Sequence, residues 1–401
     1  MVANAEEPQE APNVAPDIST RDEVALCLSG GGYRAALFHL GALRRLDELG
    51  VLPRITTVSS VSGGSIVSAF LATRLDPWPL AARDANFGHF ARDVRKLTKR
   101  NIRWIPSFRW IERAYRAEIG DLRLGDLPRG GPRFVFCATD LNNGVNWTFA
   151  RDGRGPGGWK AGSWRAGYAP ADDVHLARAV AASSAFPPVL GPVSLPIDGS
   201  AYKRGSKGIT SLLRLTDGGV YDNLALEPVW KRSKSVLVSD GGATLEPTPY
   251  TPWMPWRRLS RYMGVANGQG GSIRRRWLIA GYTRNRRDEQ RYEGAYFGIG
   301  SRLSGYAKRP DPVYPHDLID EQISEIRTDL DAFSDDEAAI LQNAGYIVCD
   351  AGVRTWCPGL AEADPPPPKP PYPDLIPAGA ARKAIEDRKS IKRKLPLGRF
   401  R

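Results

Sequence analysis

The sequence predicts an α/β fold built on a mostly parallel sheet. Two observations carry the prediction. The continuous apolar run Val24-Ala25-Leu26-Cys27-Leu28 has the pattern of a strand buried on both faces, and a glycine-rich turn leads from it straight into a helix. A second strand and helix follow within about fifty residues. Strand, helix, strand, helix in that span implies parallel strands joined by right-handed crossovers.

The first helix carries Leu37, Leu40, Leu43, Leu46 and Leu49 on roughly one face and closes at Gly50, the residue type favoured just past a helix end. The second strand, Ile55-Thr56-Thr57-Val58, runs through Ser59-Ser60-Val61-Ser62-Gly63-Gly64-Ser65 into a helix in which Ile66 and Phe70, and Val67 and Leu71, repeat at i,i+4. Ser62 therefore stands on a strand-to-helix turn, at the positive end of a helix with backbone N–H groups beside it. That is the placement of a nucleophile elbow, usually G-x-S-x-G. Here Ser60 replaces the first glycine.

The upstream run Gly30-Gly31-Gly32-Tyr33-Arg34-Ala35 has two functional readings. It matches a relaxed dinucleotide-binding fingerprint, but that fold places an acid at the end of the next strand, where this chain has Ser59-Ser60. The other reading is a loop whose N–H groups face a developing oxyanion.

Further along, Arg133–Asp140 reads as a strand, and Asn142-Asn143-Gly144 turns it into a hairpin partner at 145–149. Residues 151–168 read as a surface loop. Residues 174–182 read as a helix stopped by Pro187-Pro188. Residues 212–216 and 235–239 read as strands, each ending in an Asp-Gly-Gly turn, at Asp217 and at Asp240. A helix is expected around 272–280, a strand at 295–299, and helices at 321–330 and 335–346, with Ser334 capping the last.

An activated serine needs a base. Of the four histidines (His39, His89, His175 and His316), none stands at the end of a candidate strand, where a triad histidine would be delivered. A carboxylate can serve instead if its pKa is raised or its contact with the hydroxyl is direct and dry. Asp217 and Asp240 are the candidates.

In that order, Gly30-Gly31-Gly32-Tyr33-Arg34, Ser60-Val61-Ser62-Gly63-Gly64 and Asp217-Gly218-Gly219 resemble the patatin-like phospholipase family. Ala181-Ala182-Ser183-Ser184-Ala185-Phe186-Pro187-Pro188 and Val220-Tyr221-Asp222-Asn223 are similar to its bacterial members. The resemblance covers residues 23–242. It implies a three-layer α/β/α sandwich over residues 22–360, with Ser62 as nucleophile and Asp217 as proton acceptor. The oxyanion hole falls to Gly30, Gly31 and Gly32, with Gly63 following the nucleophile; Arg34, Gly64, Gly218 and Gly219 complete the motifs. Arg34 then steadies the loop or attracts a lipid phosphate. The implied activity is acyl-ester hydrolysis of phospholipids or related lipid esters, with no metal or organic cofactor. The alternatives are a catalytically weak lipid-binding protein and an esterase for other substrates.

Charge adds a partner. The chain carries a net +12. Residues 92–116 and 381–401 each hold nine basic and two acidic residues, so the remainder is close to neutral. Arg257, Arg258 and Arg261, with Arg274, Arg275 and Arg276, form a third cluster. Such patches imply an anionic partner. With aromatics interleaved at 90–115, an anionic membrane surface fits, and the same composition could stack on single-stranded nucleic acid; the resemblance implies a lipid partner, so no nucleic acid is expected. Residues 1–21 are expected to be disordered, and residues 361–401 to form a proline-rich linker and basic tail outside the domain. The acidic start at 1–8, the absence of a long apolar run and four scattered cysteines lead to a cytoplasmic expectation, peripheral at a membrane.

Overall fold

The computed structural model describes residues 23–74, 83–100, 108–151, 158–187, 190–195, 202, 213–242, 253–284, 291–311, 313–328 and 330–394. The expected disorder of residues 1–21, the aromatic Trp104 and the end of the basic tail (395–401) lie outside the described residues.

Among the described residues, ten strands form one sheet. They are β1 (Val24–Leu28), β2 (Thr57–Val61), β3 (Arg133–Asp140), β4 (Val145–Arg151), β5 (Trp159–Ser163), β6 (Gly167–Pro170), β7 (Val193–Ser194), β8 (Arg214–Asp217), β9 (Ser235–Asp240) and β10 (Glu293–Gly298). The order is β10-β9-β1-β2-β3-β4-β5-β6, with β8 on β3 and β7 on β8. From β10 to β3 all neighbours are parallel. Beyond β3 the sheet continues antiparallel, so part of the expected loop at 151–168 is strand.

The register along β3 positions the site. Strand β2 runs parallel along β3 and ends with Val61 opposite Cys137. Strand β8 takes over the same edge of β3 one residue later, antiparallel, and ends with Asp217 opposite Ala138. The carboxyl ends of β2 and β8 therefore meet head to head.

The two faces of the sheet are covered unequally. Val24, Leu26 and Leu28 of β1 point into the large core, against helices α1 (Gly32–Glu48) and α2 (Gly63–Arg74). Helices α3 (Arg83–Thr98), α4 (Phe108–Ile119) and α5 (Leu176–Ser183) extend that layer. Ala25 and Cys27 point to the other face, a smaller cluster with Leu224, Leu226 and Val229. That layer starts at the short helix α6 (Gly219–Asp222) and ends on Leu278 of α7 (Pro255–Thr283). Helix α7 is twenty-nine residues long, far beyond the expected 272–280. Residues 319–328 hold a π-helical turn and bends where a longer helix was expected. Helix α8 (Asp335–Trp356) starts at Ser334, whose hydroxyl accepts from Glu337 N–H in a reciprocal capping box.

The expected boundary at 360 runs through packed structure. The proline run at 365–371 is a strap across α1 and α8. Arg45, buried in an ion pair with Asp350 (2.7 Å), donates to Pro366 O, and Asn343 bonds both the N–H and the carbonyl of Tyr372. Helix α9 (Ala378–Lys394) then buries Ala381 and Ile385.

The described parts of the basic segment 92–116 are packed helices rather than an open aromatic face. Phe90 just before it, Ile111 and Tyr115 are buried, and Trp110 is exposed. Lys96 and Arg100 meet the buried Glu118, Arg95 and Lys99 meet Asp335, and Arg116 meets Glu112.

Candidate active site

Ser62 occupies the left-handed region at φ 51°, a conformation that strains a side chain with a Cβ. The strain is held by its surroundings. Ser62 N–H donates to Ser183 Oγ (3.0 Å), and Ser183 Oγ–H donates to Cys137 O (2.6 Å). Ser65 Oγ lies 2.8 Å from Ser183 Oγ and donates to Ser60 Oγ (3.1 Å), which donates to Val135 O. These serines pin the turn from below. This accounts for the serine in place of the elbow's first glycine: the Ser60 hydroxyl is fully buried and partnered on both sides.

Asp217 reaches the same point from β8. Its carboxylate accepts Gly219 N–H (2.7 Å), and the Ser62 side chain is near enough to lower its pKa. Both residues are nearly buried, at 7% exposure for Ser62 and 3% for Asp217. Burial pushes the Asp217 carboxyl up from 3.8 to about 6, against the lowering effect of the Gly219 N–H and the Ser62 side chain. Thr139 Oγ1 holds the Asp217 carbonyl (2.8 Å), and Gly218 N–H is tied to Ser183 O (3.2 Å). Ser183 therefore touches both halves of the site, a role its sequence position at a helix end did not signal.

The glycine loop lies against the elbow. A Cβ on Gly30 would come within 3.2 Å of Ser62 Cβ, and one on Gly63 within 2.1 Å of Gly32 O, so neither position has room for a side chain. Gly31 and Gly32 both have positive φ. Gly30 N–H is already committed to Asn223 O (3.1 Å), and Gly64 N–H to Ser29 O (3.1 Å). Gly32 and Gly63 are the first residues of α1 and α2, where a helix start leaves N–H groups without an intrahelical acceptor, and Gly31 precedes the first of them.

Arg34 points away from the site. It is buried, and its guanidinium donates to Gly241 O, Ser324 O (2.7 Å) and Ile326 O (2.7 Å), so it ties the loop to β9 and to the 319–328 turn and offers nothing to a phosphate. Burial lowers its pKa to about 10. His39 bridges Ser239 Oγ and Ser29 O through both ring nitrogens, and burial lowers it to about 4. It is a neutral brace between β1 and β9. Asp222 accepts the N–H groups of Leu224, Leu226 and Glu227, folding the Val-Tyr-Asp-Asn sequel into the small second layer. Asn223, packed where Cβ atoms on Gly30, Gly219 and Gly242 would fall, wedges the three glycine turns together. Nothing in its own motif signalled that role.

The family model of the patatin-like phospholipases matches residues 26–230, half of the chain. The chain belongs to the patatin-like phospholipase family. Among curated relatives, a patatin-like phospholipase domain-containing protein of Aspergillus niger is 52% identical over 52 residues, which are 13% of this chain and 6% of that protein. A namesake from Phaeosphaeria nodorum is 50% identical over 52 residues, again 6% of its own length. This patatin-like chain therefore matches a small part of the length of those relatives. Among solved structures, the human GIVD cytosolic phospholipase A2 superposes with a TM-score of 0.51 at 12% identity, covering 93% of this chain and 60% of that one, a likeness of fold.

Proposed function

We propose that this patatin-like protein is a serine acyl hydrolase that releases fatty acids from phospholipids or related lipid esters through a Ser62–Asp217 dyad. The observation that carries the reading is the placement of the strained Ser62, at the end of β2, against a buried Asp217 at the end of β8 whose pKa is raised to about 6. Such a carboxylate is ionised at neutral pH yet basic enough to accept a proton from the attacking hydroxyl. Asp217 takes the Ser62 proton as Oγ attacks the ester carbonyl. The N–H groups of Gly31, Gly32 and Gly63 hold the oxyanion. Asp217 then passes the proton to the leaving alcohol, and a water activated by the same carboxylate frees the fatty acid. No histidine is needed, and His39, with both nitrogens engaged, has no part in the transfer.

Fatty-acid release from a panel of phospholipids, lysophospholipids and triglycerides tests the reading. The wild-type chain is expected to release acid from at least one class, and Ser62→Ala to fall to background. Equal release by both proteins would refute it.

A further inference from the structure

We propose that helix α7 is an interfacial element that seats the domain on an anionic bilayer. Its composition is the first observation. Residues 255–283 contain six arginines (257, 258, 261, 274, 275 and 276) and no aspartate, glutamate or lysine. The second is its anchorage. The C-terminal third of α7 is packed into the fold. Arg274 lies over the Tyr221 ring (5.1 Å) and 3.5 Å from Asp222, Trp277 packs on Trp230 and Tyr292, and Leu278 is buried.

The preceding part of the helix presents large apolar side chains to solvent. Leu259, Tyr262, Met263 and Ile273 are all exposed, Leu259 by 60% and Ile273 by 59%, and Trp253 just before the helix by 77%. At 100° per residue, Leu259, Tyr262, Met263, Ala266 and Ile273 fall within about 100° of one another, while Arg258, Arg261 and Arg276 fall outside that stripe together with the exposed Val265. An apolar stripe flanked by arginines is the pattern of a helix lying in the plane of a lipid surface, with rings and aliphatic groups at headgroup depth and guanidinium groups among phosphates. At 1.5 Å per residue the helix is about 43 Å long, yet no helix among the described residues is long and apolar enough to cross a membrane.

Charge selects the occupant. A second copy of the chain would bring an arginine-rich helix with no carboxylate of its own against another like it. A nucleic acid would satisfy the arginines but leave the apolar stripe wet. An anionic bilayer meets both. The basic helices α3 and α4 lack this combination, because Phe87, Phe90 and Tyr115 are in the core and many of their cations face carboxylates. The position also suits the proposed chemistry, on which the purpose of docking rests: Tyr221 and Asp222, which Arg274 touches, follow Asp217 within one short helix.

The test is vesicle flotation of the full chain in a Ser62→Ala background, so that binding is read without hydrolysis and its failure leaves the hydrolase reading standing. Vesicles are phosphatidylcholine with and without phosphatidylglycerol. The parent is expected to float with the anionic vesicles and to be released as salt rises. Leu259→Asp/Met263→Asp/Ile273→Asp is expected to lower partitioning at least about tenfold at every salt. Arg258→Ala/Arg261→Ala/Arg276→Ala is expected to lower it on anionic vesicles alone. Thermal unfolding of both variants checks that they fold, and either set alone suffices for the test. Equal flotation of parent and variants, equal binding of the parent to neutral vesicles, or self-association that the apolar variant abolishes would each overturn the proposal.

Discussion

The chain contains two Asp-Gly-Gly turns with the same local structure and different surroundings. Asp217 ends β8 and accepts the N–H of Gly219 at 2.7 Å; Asp240 ends β9 and accepts the N–H of Gly242 at 2.9 Å. Short-range chemistry is identical, because an aspartate followed by two glycines closes the same side-chain turn in both places. Their other partners distinguish them. Tyr296 Oη–H donates to the second carboxylate oxygen of Asp240 at 2.6 Å, and Gly241 O beside it receives the Arg34 guanidinium. Asp217 instead faces the Ser62 hydroxyl. Strand direction makes the difference. Strand β9 lies parallel to β1 and delivers Asp240 beside the base of the glycine loop, whereas β8 runs against β3 and delivers Asp217 to the end of β2. One turn braces the loop and the other faces Ser62.

The largest expected effect breaks this comparison in activity. Asp217→Asn should lower kcat about a thousandfold, the scale of a lost general base, while Asp240→Asn should lower it less than about threefold. Fatty-acid release under saturating substrate decides; comparable losses in the two variants would contradict the assignment.

A stability measurement sharpens the same contrast. The folded Asp217 carboxyl titrates near 6, above its ordinary 3.8, so its contribution is fully present below about pH 3.8 and is lost as pH rises through about 6. That gap, at about 1.4 kcal/mol per pH unit, amounts to ~3 kcal/mol of destabilisation at pH 8. Asp217→Asn should therefore be more stable than wild type in urea at pH 8, with the advantage vanishing near pH 4. Asp240→Asn, which loses the charge that holds Tyr296, should show no such gain.

A smaller effect is expected beneath the elbow. Ser183→Ala leaves Ser62 N–H and Cys137 O without their buried partner, which costs about 1–3 kcal/mol. Urea unfolding should show that loss together with a fall in kcat at unchanged KM, because the hydroxyl holds the turn and does not reach substrate.

Much of the site was legible in the sequence because its parts are local. The glycine run, the Ser62 turn and the Asp-Gly-Gly turn are each set by a few adjacent residues; the lack of a histidine at any strand end left room for a carboxylate base, and the family resemblance assigned it to Asp217. What stayed hidden depends on residues far apart. The antiparallel course of β8, which separates Asp217 from Asp240 in space, leaves no mark in a four-residue strand. The commitment of Gly30 N–H to Asn223, and of Arg34 to carbonyls some 290 residues away, could not be read from the motif that contains them. The strap at 365–371 reads as a linker because prolines carry no apolar periodicity, while its partners Arg45, Asn343 and Tyr346 lie in helices elsewhere. Helix α7 reads as shorter in the sequence than it is, because its interior glycines at 264, 268, 270 and 271 dilute the helical pattern.

The central claim is that Ser62 is the nucleophile and Asp217 its base. Fluorophosphonate labelling followed across pH, with the adduct located by mass spectrometry, tests it most directly. The account predicts a single adduct on Ser62, a labelling rate that rises with pH through about 6 as Asp217 ionises, and a loss of that rise in Asp217→Asn. An adduct that persists in Ser62→Ala would contradict it.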